Sequence, residues 1–219
     1  MRLVRYITEE SSAERVEFNS VEEIADELKR KCAPYLREFG TDWYFYRGVR
    51  SLGKNDKDKF AIFKKKPRMN RKPMNMRQDI QDYLNKIFKK KFGWMPRNTG
   101  VFATHNYSET YTYGYGLIFM PIGQYKYIYN PDVDDLFINT PHRVINFDKN
   151  GELINDIAGT NGDDDYDRKK LEKWKKRVEG FRDSGMKTWL SQRTFESMWR
   201  CKEYYLIDPF FEDELTKLL

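Results

Sequence analysis

Aromatic residues in this 219-residue chain gather in short runs, and charged stretches of helical period lie between them. Asp42-Trp43-Tyr44-Phe45-Tyr46-Arg47 is the densest run and ends at Gly48. Such residues fit a pleated, half-buried surface, so this run predicts an interior strand. Gly100-Val101-Phe102-Ala103-Thr104, Gly116-Leu117-Ile118-Phe119-Met120-Pro121, Tyr125-Lys126-Tyr127-Ile128-Tyr129 and Glu203-Tyr204-Tyr205-Leu206-Ile207-Asp208 have the same character, with turn residues between them. Phe60-Ala61-Ile62-Phe63 predicts a further short strand. Strands of this length are stable only when they join a sheet covered by other elements. The class predicted is therefore α+β, with helices flanking the sheet.

The helical cover is equally legible. Ser20-Val21-Glu22-Glu23 has the form of a capping box, and Val21, Ile24, Ala25, Leu28, Cys32, Tyr35 and Leu36 recur at three- and four-residue steps. This predicts a helix to about Arg37, with Pro34 near its end and Gly40 as its stop. Asn75 is placed to cap a second helix running to about Lys91, with Ile80, Tyr83, Leu84, Ile87 and Phe88 on one stripe and lysines opposite. Asp132 to Asp135 predicts a short helix, and Asp148-Lys149-Asn150-Gly151 a hairpin turn. Asn161 to Asp165 lacks the spaced ligands of a calcium loop and is read as solvent loop, with no metal expected. Leu171, Trp174, Val178 and Phe181 then share a helical face, followed by an amphipathic stretch from Met186 to Trp199 and a terminal helix after Pro209. The whole is expected as one domain, 1–219, carrying a basic segment at 54–91 and a helical insertion at 131–195.

Charge is unevenly spread. The overall +6 arises because residues 54–91 hold fourteen Lys and Arg against four Asp, a local +10, which leaves −4 elsewhere. Such density attracts phosphates by steering and counterion release, although a solvated face produces the same pattern. Lys64, Lys65, Lys66 and Arg68 are the candidate nucleic-acid contacts. Aromatics at 16% argue against disorder. No run approaches the roughly 18 to 20 apolar residues of a membrane span, and the first residues lack a signal-peptide core, so a soluble, cytoplasmic protein without a membrane partner is expected. Cys32 and Cys201 are too few and too far apart for a disulfide framework or a zinc site.

Three pieces carry chemistry: Tyr46-Arg47-Gly48, the Gly100–Thr104 run followed by Tyr111 and Tyr113, and the strand opened by Glu203. Their order and spacing resemble the ADP-ribosyltransferase superfamily, over roughly two fifths of the chain, from Asp42 to Gly116 and from Phe195 to Asp208. The resemblance implies an α+β fold in which two small antiparallel or mixed sheets form a cleft for NAD. It implies an enzyme that splits NAD, releases nicotinamide and passes ADP-ribose to an acceptor. In that reading Arg47 grips the pyrophosphate or ribose, Gly48 lets the backbone approach the carboxamide, and Tyr113 stacks on nicotinamide. Tyr46 and Phe102 line the same site, Phe102 standing where one branch commonly has Tyr, and Thr104 supports the glutamate. Glu203 is the catalytic residue the resemblance implies, with Arg47 beside it. Arginine-modifying members carry a second Glu two residues earlier, where this chain has Cys201. The acceptor therefore stays open between a host protein and nucleic acid.

Tyr46-Arg47-Gly48-Val49-Arg50 and Lys89-Lys90-Lys91-Phe92-Gly93-Trp94 also resemble proteins of large tailed phages, which implies a host cytoplasm as the location. Two other readings compete with the enzyme. One is a non-catalytic nucleic-acid binder working through residues 54–91. The other is a virion-associated protein whose tyrosines sit in an interface.

Overall fold

The computed structural model describes residues 13–50, 60–73, 76–136, 139–154 and 164–219. In chain order the elements are β1 (Glu14–Glu17), α1 (Val21–Lys31), α2 (Ala33–Phe39), β2 (Phe45–Val49), β3 (Ala61–Lys65), α3 (Gln78–Phe92), α4 (Pro96–Thr99), β4 (Val101–Thr104), β5 (Tyr115–Tyr129), α5 (Asp164–Glu179), α6 (Lys187–Leu190), β6 (Glu196–Ile207) and α7 (Glu212–Leu218). Single 3-10 turns at Tyr107–Thr112 and Pro209–Phe211 precede β5 and α7. This is a mixed α+β protein with antiparallel strand pairing.

The chain divides into two compact units. The first comprises Met1–Pro67, Ala103–Tyr125 and Cys201–Leu219, the second Arg68–Phe102 and Lys126–Arg200. The residues expected as an insertion at 131–195 belong to the second unit together with α3 and α4.

The strand order is β1-β3-β6-β4-β2-β5, which gives β2 the interior position its aromatic run predicts, and β6 also pairs with β5. These described strands make one sheet rather than the two small sheets expected. The reason is strand length: β5 has 15 residues and β6 has 12, so pieces that read as separate belong to continuous strands. Residues 116–121 and 125–129 are one strand, not two. Gly123 takes a left-handed φ of 67° within it, so the backbone departs from regular extension there without the chain turning back. At the other end of the chain, β6 begins at Glu196, where an amphipathic helix-like stretch was expected. That stretch keeps only the one-turn α6.

In the first unit α1 starts at the expected cap. Ser20 Oγ accepts from the Glu23 amide at 3.4 Å, but Glu23 reaches back to the Asn19 amide at 2.9 Å rather than to Ser20. The helix ends at Lys31 and α2 restarts with Pro34 in its first turn, because proline has no N–H to continue the ladder. Ile24, Leu28, Tyr35 and Phe39 are buried from these helices, Phe45, Leu117, Phe119, Tyr204 and Leu206 from the strands. Each such side chain contributes about 1.5–3 kcal/mol by leaving water.

The second unit has its own core of Ile80, Leu84 and Phe88 from α3, Leu171, Trp174 and Val178 from α5, and Phe181 beyond it. Tyr83 stacks on Trp174 with centroids 5.9 Å apart, and the Trp174 indole donates to Thr140 Oγ1 at 3.2 Å. Residue 75, the expected cap of α3, lies outside the described residues, and Arg77 holds the N-cap position. Asp132 to Asp135 form turns instead of a helix: the Asn130 side chain accepts from the Asp132 amide at 2.9 Å, and the Asp134 carbonyl accepts from Glu196. The hairpin turn at Asp148–Gly151 is present, bridged by Phe147 and Leu153, with Gly151 at φ 73°.

Candidate functional site

Two glycines lie opposite each other in the first unit, Gly48 on β2 and Gly116 on β5. Together they leave a patch of sheet bare of side chains, and the segment Tyr107–Tyr113 lies against it. A Cβ on Gly48 would fall 2.6 Å from the Tyr113 Cβ and 2.7 Å from the Thr110 carbonyl oxygen. One on Gly116 would fall 2.6 Å from Tyr107 Cε2. No real Cβ makes such contacts, so this close approach requires glycine at both positions. Locally the turn is fixed by Asn106, whose side chain accepts from the Ser108 amide at 3.0 Å, and by Thr110, whose hydroxyl donates to the Tyr107 carbonyl at 2.6 Å.

Beside this segment is an open hollow of about 500 Å³ lined by Tyr46, Tyr107, Tyr115, Asp208, Pro209, Phe210 and Glu212. All seven belong to the first unit. The Tyr46 hydroxyl donates to Glu212, 2.9 Å from Oε1 and 2.8 Å from Oε2. Tyr115 donates to Asp208 Oδ1 at 3.1 Å, and the same oxygen caps the next turn by accepting from the Phe210 amide at 3.0 Å. The Tyr46 and Tyr107 rings meet edge to face, centroids 5.3 Å apart, and Tyr107 meets Tyr111 in the same way at 5.4 Å. Burial raises the Tyr46 phenol above its ordinary range, and its bond to the Glu212 carboxylate adds to the rise. Tyr115 is pushed up to about 12, first by burial and then by the negative charge of Asp208. Phenols held neutral beside two carboxylates make this a place of negative potential with aromatic walls.

Of the residues the sequence singles out, Tyr46 lines the hollow, while Arg47 and Glu203 do not. Gly48 and Tyr113 are in contact, and Tyr46 is paired with Thr104 across β2 and β4. Thr104 Oγ1 accepts from the Asn106 amide at 3.2 Å, so its hydroxyl supports the turn. Glu203 is half-buried on β6, with Lys66 Nζ 3.9 Å from its carboxylate. Its neighbour Cys201, on the same face of β6 by strand alternation, is pushed up to about 12 by burial, while the Arg47 guanidinium pulls it down. Burial likewise raises the Cys32 thiol, so both cysteines are poor nucleophiles.

Phe102 falls in the second unit, where the Arg71 and Arg97 guanidinium carbons stand 4.2 and 4.9 Å from its ring centre. The four candidate phosphate contacts have unlike surroundings. Lys65 is only 8% exposed, and Lys64 pairs with Glu14 at 2.7 Å. Lys66 and Arg68 are exposed. On α3, Lys86 pairs with Glu152, and Lys91 donates to the Glu179 and Phe181 carbonyls at 2.5 and 2.8 Å. Lys89 and Lys90 remain exposed on its last turn.

Tyr107, Tyr115, Asp208, Phe210 and Glu212 were not anticipated as site residues. A usable signal existed for the tyrosines, since positions 107, 111, 113 and 115 are all Tyr. Nothing local marks Glu212, which meets a partner 166 positions earlier. Among the described residues no group of three His, Cys, Asp or Glu could hold a metal ion, and no helix is long and apolar enough to cross a membrane. Comparison with protein-family models, with curated proteins and with solved structures finds no match for the chain.

Proposed function

We propose that the chain is an NAD-consuming enzyme of the ADP-ribosyltransferase kind, transferring ADP-ribose to a macromolecular acceptor. The observation that carries this reading is that residues from each of its three motifs share the first unit, Gly100, Val101 and Phe102 excepted. Gly48 touches Tyr113, Tyr46 pairs with Thr104, and Arg47 acts on Cys201, two positions from Glu203 on the same face of β6. The fold would then be a variant of the superfamily's, built on one long sheet. In this reading Arg47 holds the dinucleotide with charge-assisted hydrogen bonds, and the Glu203 carboxylate stabilises the positive charge that grows on the ribose as nicotinamide leaves. That interaction strengthens during the reaction and so raises turnover. Phe102 lies outside the first unit, so the site is centred on Arg47, Gly48, Tyr113 and Glu203.

The test is nicotinamide release from labelled NAD. Wild-type protein should release it, and Glu203→Gln should lower the rate at least about a hundredfold, as loss of a transition-state contact does. Its melting temperature should stay near wild type, because Glu203 is half-buried and its described charge contacts are a long pair to Lys66 and a weaker pull on Lys64. Wild-type protein that leaves NAD intact in the presence of nucleic acid and protein acceptors would rule the reading out.

Nucleic-acid binding without catalysis, or attachment to a phage particle, is the second reading. It is favoured by the exposure of Lys66, Arg68, Lys89 and Lys90. It predicts DNA or RNA affinity that falls steeply with salt and drops further when these four are neutralised. The pairing of Lys64, Lys86 and Lys91 inside the protein removes three cations from that count.

A further inference from the structure

The hollow of the first unit combines three tyrosines and a phenylalanine with two carboxylates, and among the described residues neither Asp208 nor Glu212 has a cationic partner. Their hydrogen bonds come from neutral donors. Glu212 takes the Tyr46 hydroxyl on both oxygens, and Asp208 Oδ1 takes the Tyr115 hydroxyl and the Phe210 amide. These bonds fix the carboxylates in place but leave both negative charges uncompensated. A cation entering the hollow meets that charge beside aromatic walls.

The hydrogen-bonding pattern also selects among cations. Three of the four carboxylate oxygens lie within hydrogen-bond distance of a protein donor, the single Tyr46 hydroxyl serving both Glu212 oxygens, so a guanidinium with five N–H donors must share these acceptors with the protein. A methylated ammonium has no such donors to satisfy and presents an apolar, positively charged surface to the rings. The volume, about 500 Å³, falls in the roughly 300–1,000 Å³ range of small-ligand sites. Phe210, 85% exposed at the edge of this site, is an apolar side chain held in water by a capped turn.

We propose that this hollow binds a methylated ammonium group, either on a free choline-like molecule or on the side chain of a trimethylated lysine. The site is separate from the NAD reading and shares only Tyr46 with it. No lining residue but Tyr46 takes part in both, so either can fail alone.

The test is a titration of the full chain with tetramethylammonium chloride, without NAD, followed through the tyrosine ring resonances by NMR. Saturable shifts are expected at Tyr46, Tyr107 and Tyr115. The double variant Asp208→Asn/Glu212→Gln should weaken binding roughly tenfold or more, since it removes the charge that holds the cation. Its amides keep an acceptor for each tyrosine and a cap for Phe210, so the fold should survive. If it does not, Phe210→Ala, at an exposed position, should weaken binding on an intact fold. Choline and a trimethyllysine peptide, compared in parallel, separate the two sources, and tighter binding of either supports the site. Equal shifts with neutral tert-butanol, unchanged binding in the double variant, or tighter binding of guanidinium would each overturn it.

Discussion

The two compact units expose their aromatic residues to different extents. In the second, Trp174, Phe88 and Phe181 are almost entirely buried, with Phe88 and Phe181 centroids 4.9 Å apart. In the first, Tyr111, Tyr113, Tyr115 and Phe210 stay exposed, although Phe45, Phe119 and Tyr204 fill a core close by in sequence terms. Cations are tied in both, Lys86 to Glu152 and Lys91 to backbone carbonyls in the second unit and Lys64 to Glu14 in the first, where Asp208 and Glu212 bond to phenols instead. Side chains of the same kind therefore fill both cores and, in the first unit, also line an open hollow. Composition alone, at 16% aromatic, cannot distinguish these uses.

The contrast makes graded predictions. The largest effect is expected from Trp174→Ala, which opens a cavity in the second core and removes a buried hydrogen bond. Chemical denaturation should show a loss of about 3–5 kcal/mol, and a loss below about 1 would mean the core is not packed as described. Next comes Gly48→Ala, where the added methyl meets backbone and Tyr113. A cost of about 1–3 kcal/mol is expected, with altered resonances for Tyr107 and Tyr113. Asp208→Ala should cost about 1 kcal/mol through the lost cap, and Asp208→Asn much less. Phe210→Ala should be within about 0.5 kcal/mol of wild type, in contrast with Phe88→Ala, because nothing is buried at 210.

Alkaline titration sharpens the same comparison. The Tyr115 pKa is raised from 10.0 to about 12, so the folded state keeps its proton where the unfolded chain has lost it. Its contribution to stability is whole below pH 10 and falls away between 10 and 12. Phenolate absorbance, read as the difference between wild type and Tyr115→Phe, should show this late ionisation. Asp208→Asn should bring it earlier, since the Asp208 charge is part of its cause. A Tyr115 that titrates with ordinary tyrosines would remove the negative potential ascribed to the hollow.

Much of the fold was legible because its signals are local. The Ser20 cap, the α3 stripe, the aromatic β2 run and the 148–151 turn all act over a few residues. Strand continuity was not legible. Pro121 and Gly123 read as a turn, yet the strand passes through both, and Ser197, Met198 and Trp199 are consecutively buried, which erases the alternation that marks a strand. Of the site, the motifs put Gly48 and Tyr113 around one dinucleotide but did not imply that they touch each other directly. The hollow was not legible either, because its chemistry depends on Tyr46 and Glu212 meeting across almost the whole chain. Lys65 shows the converse: a lysine in a basic run is buried because it alternates with Lys64 at the end of β3.

The facing glycines at 48 and 116 have a consequence for how the exposed tyrosines could change over time. Two hydrogen atoms, standing where nearly every other residue would bring a carbon, decide whether residues 107–113 can settle on the sheet at all. The exposed ring of Tyr111 or Tyr113 can be exchanged for another side chain without disturbing the floor beneath it, whereas the Tyr107 ring lies on Gly116. The floor tolerates no such exchange, so variation should accumulate in the exposed tyrosines while both glycines stay.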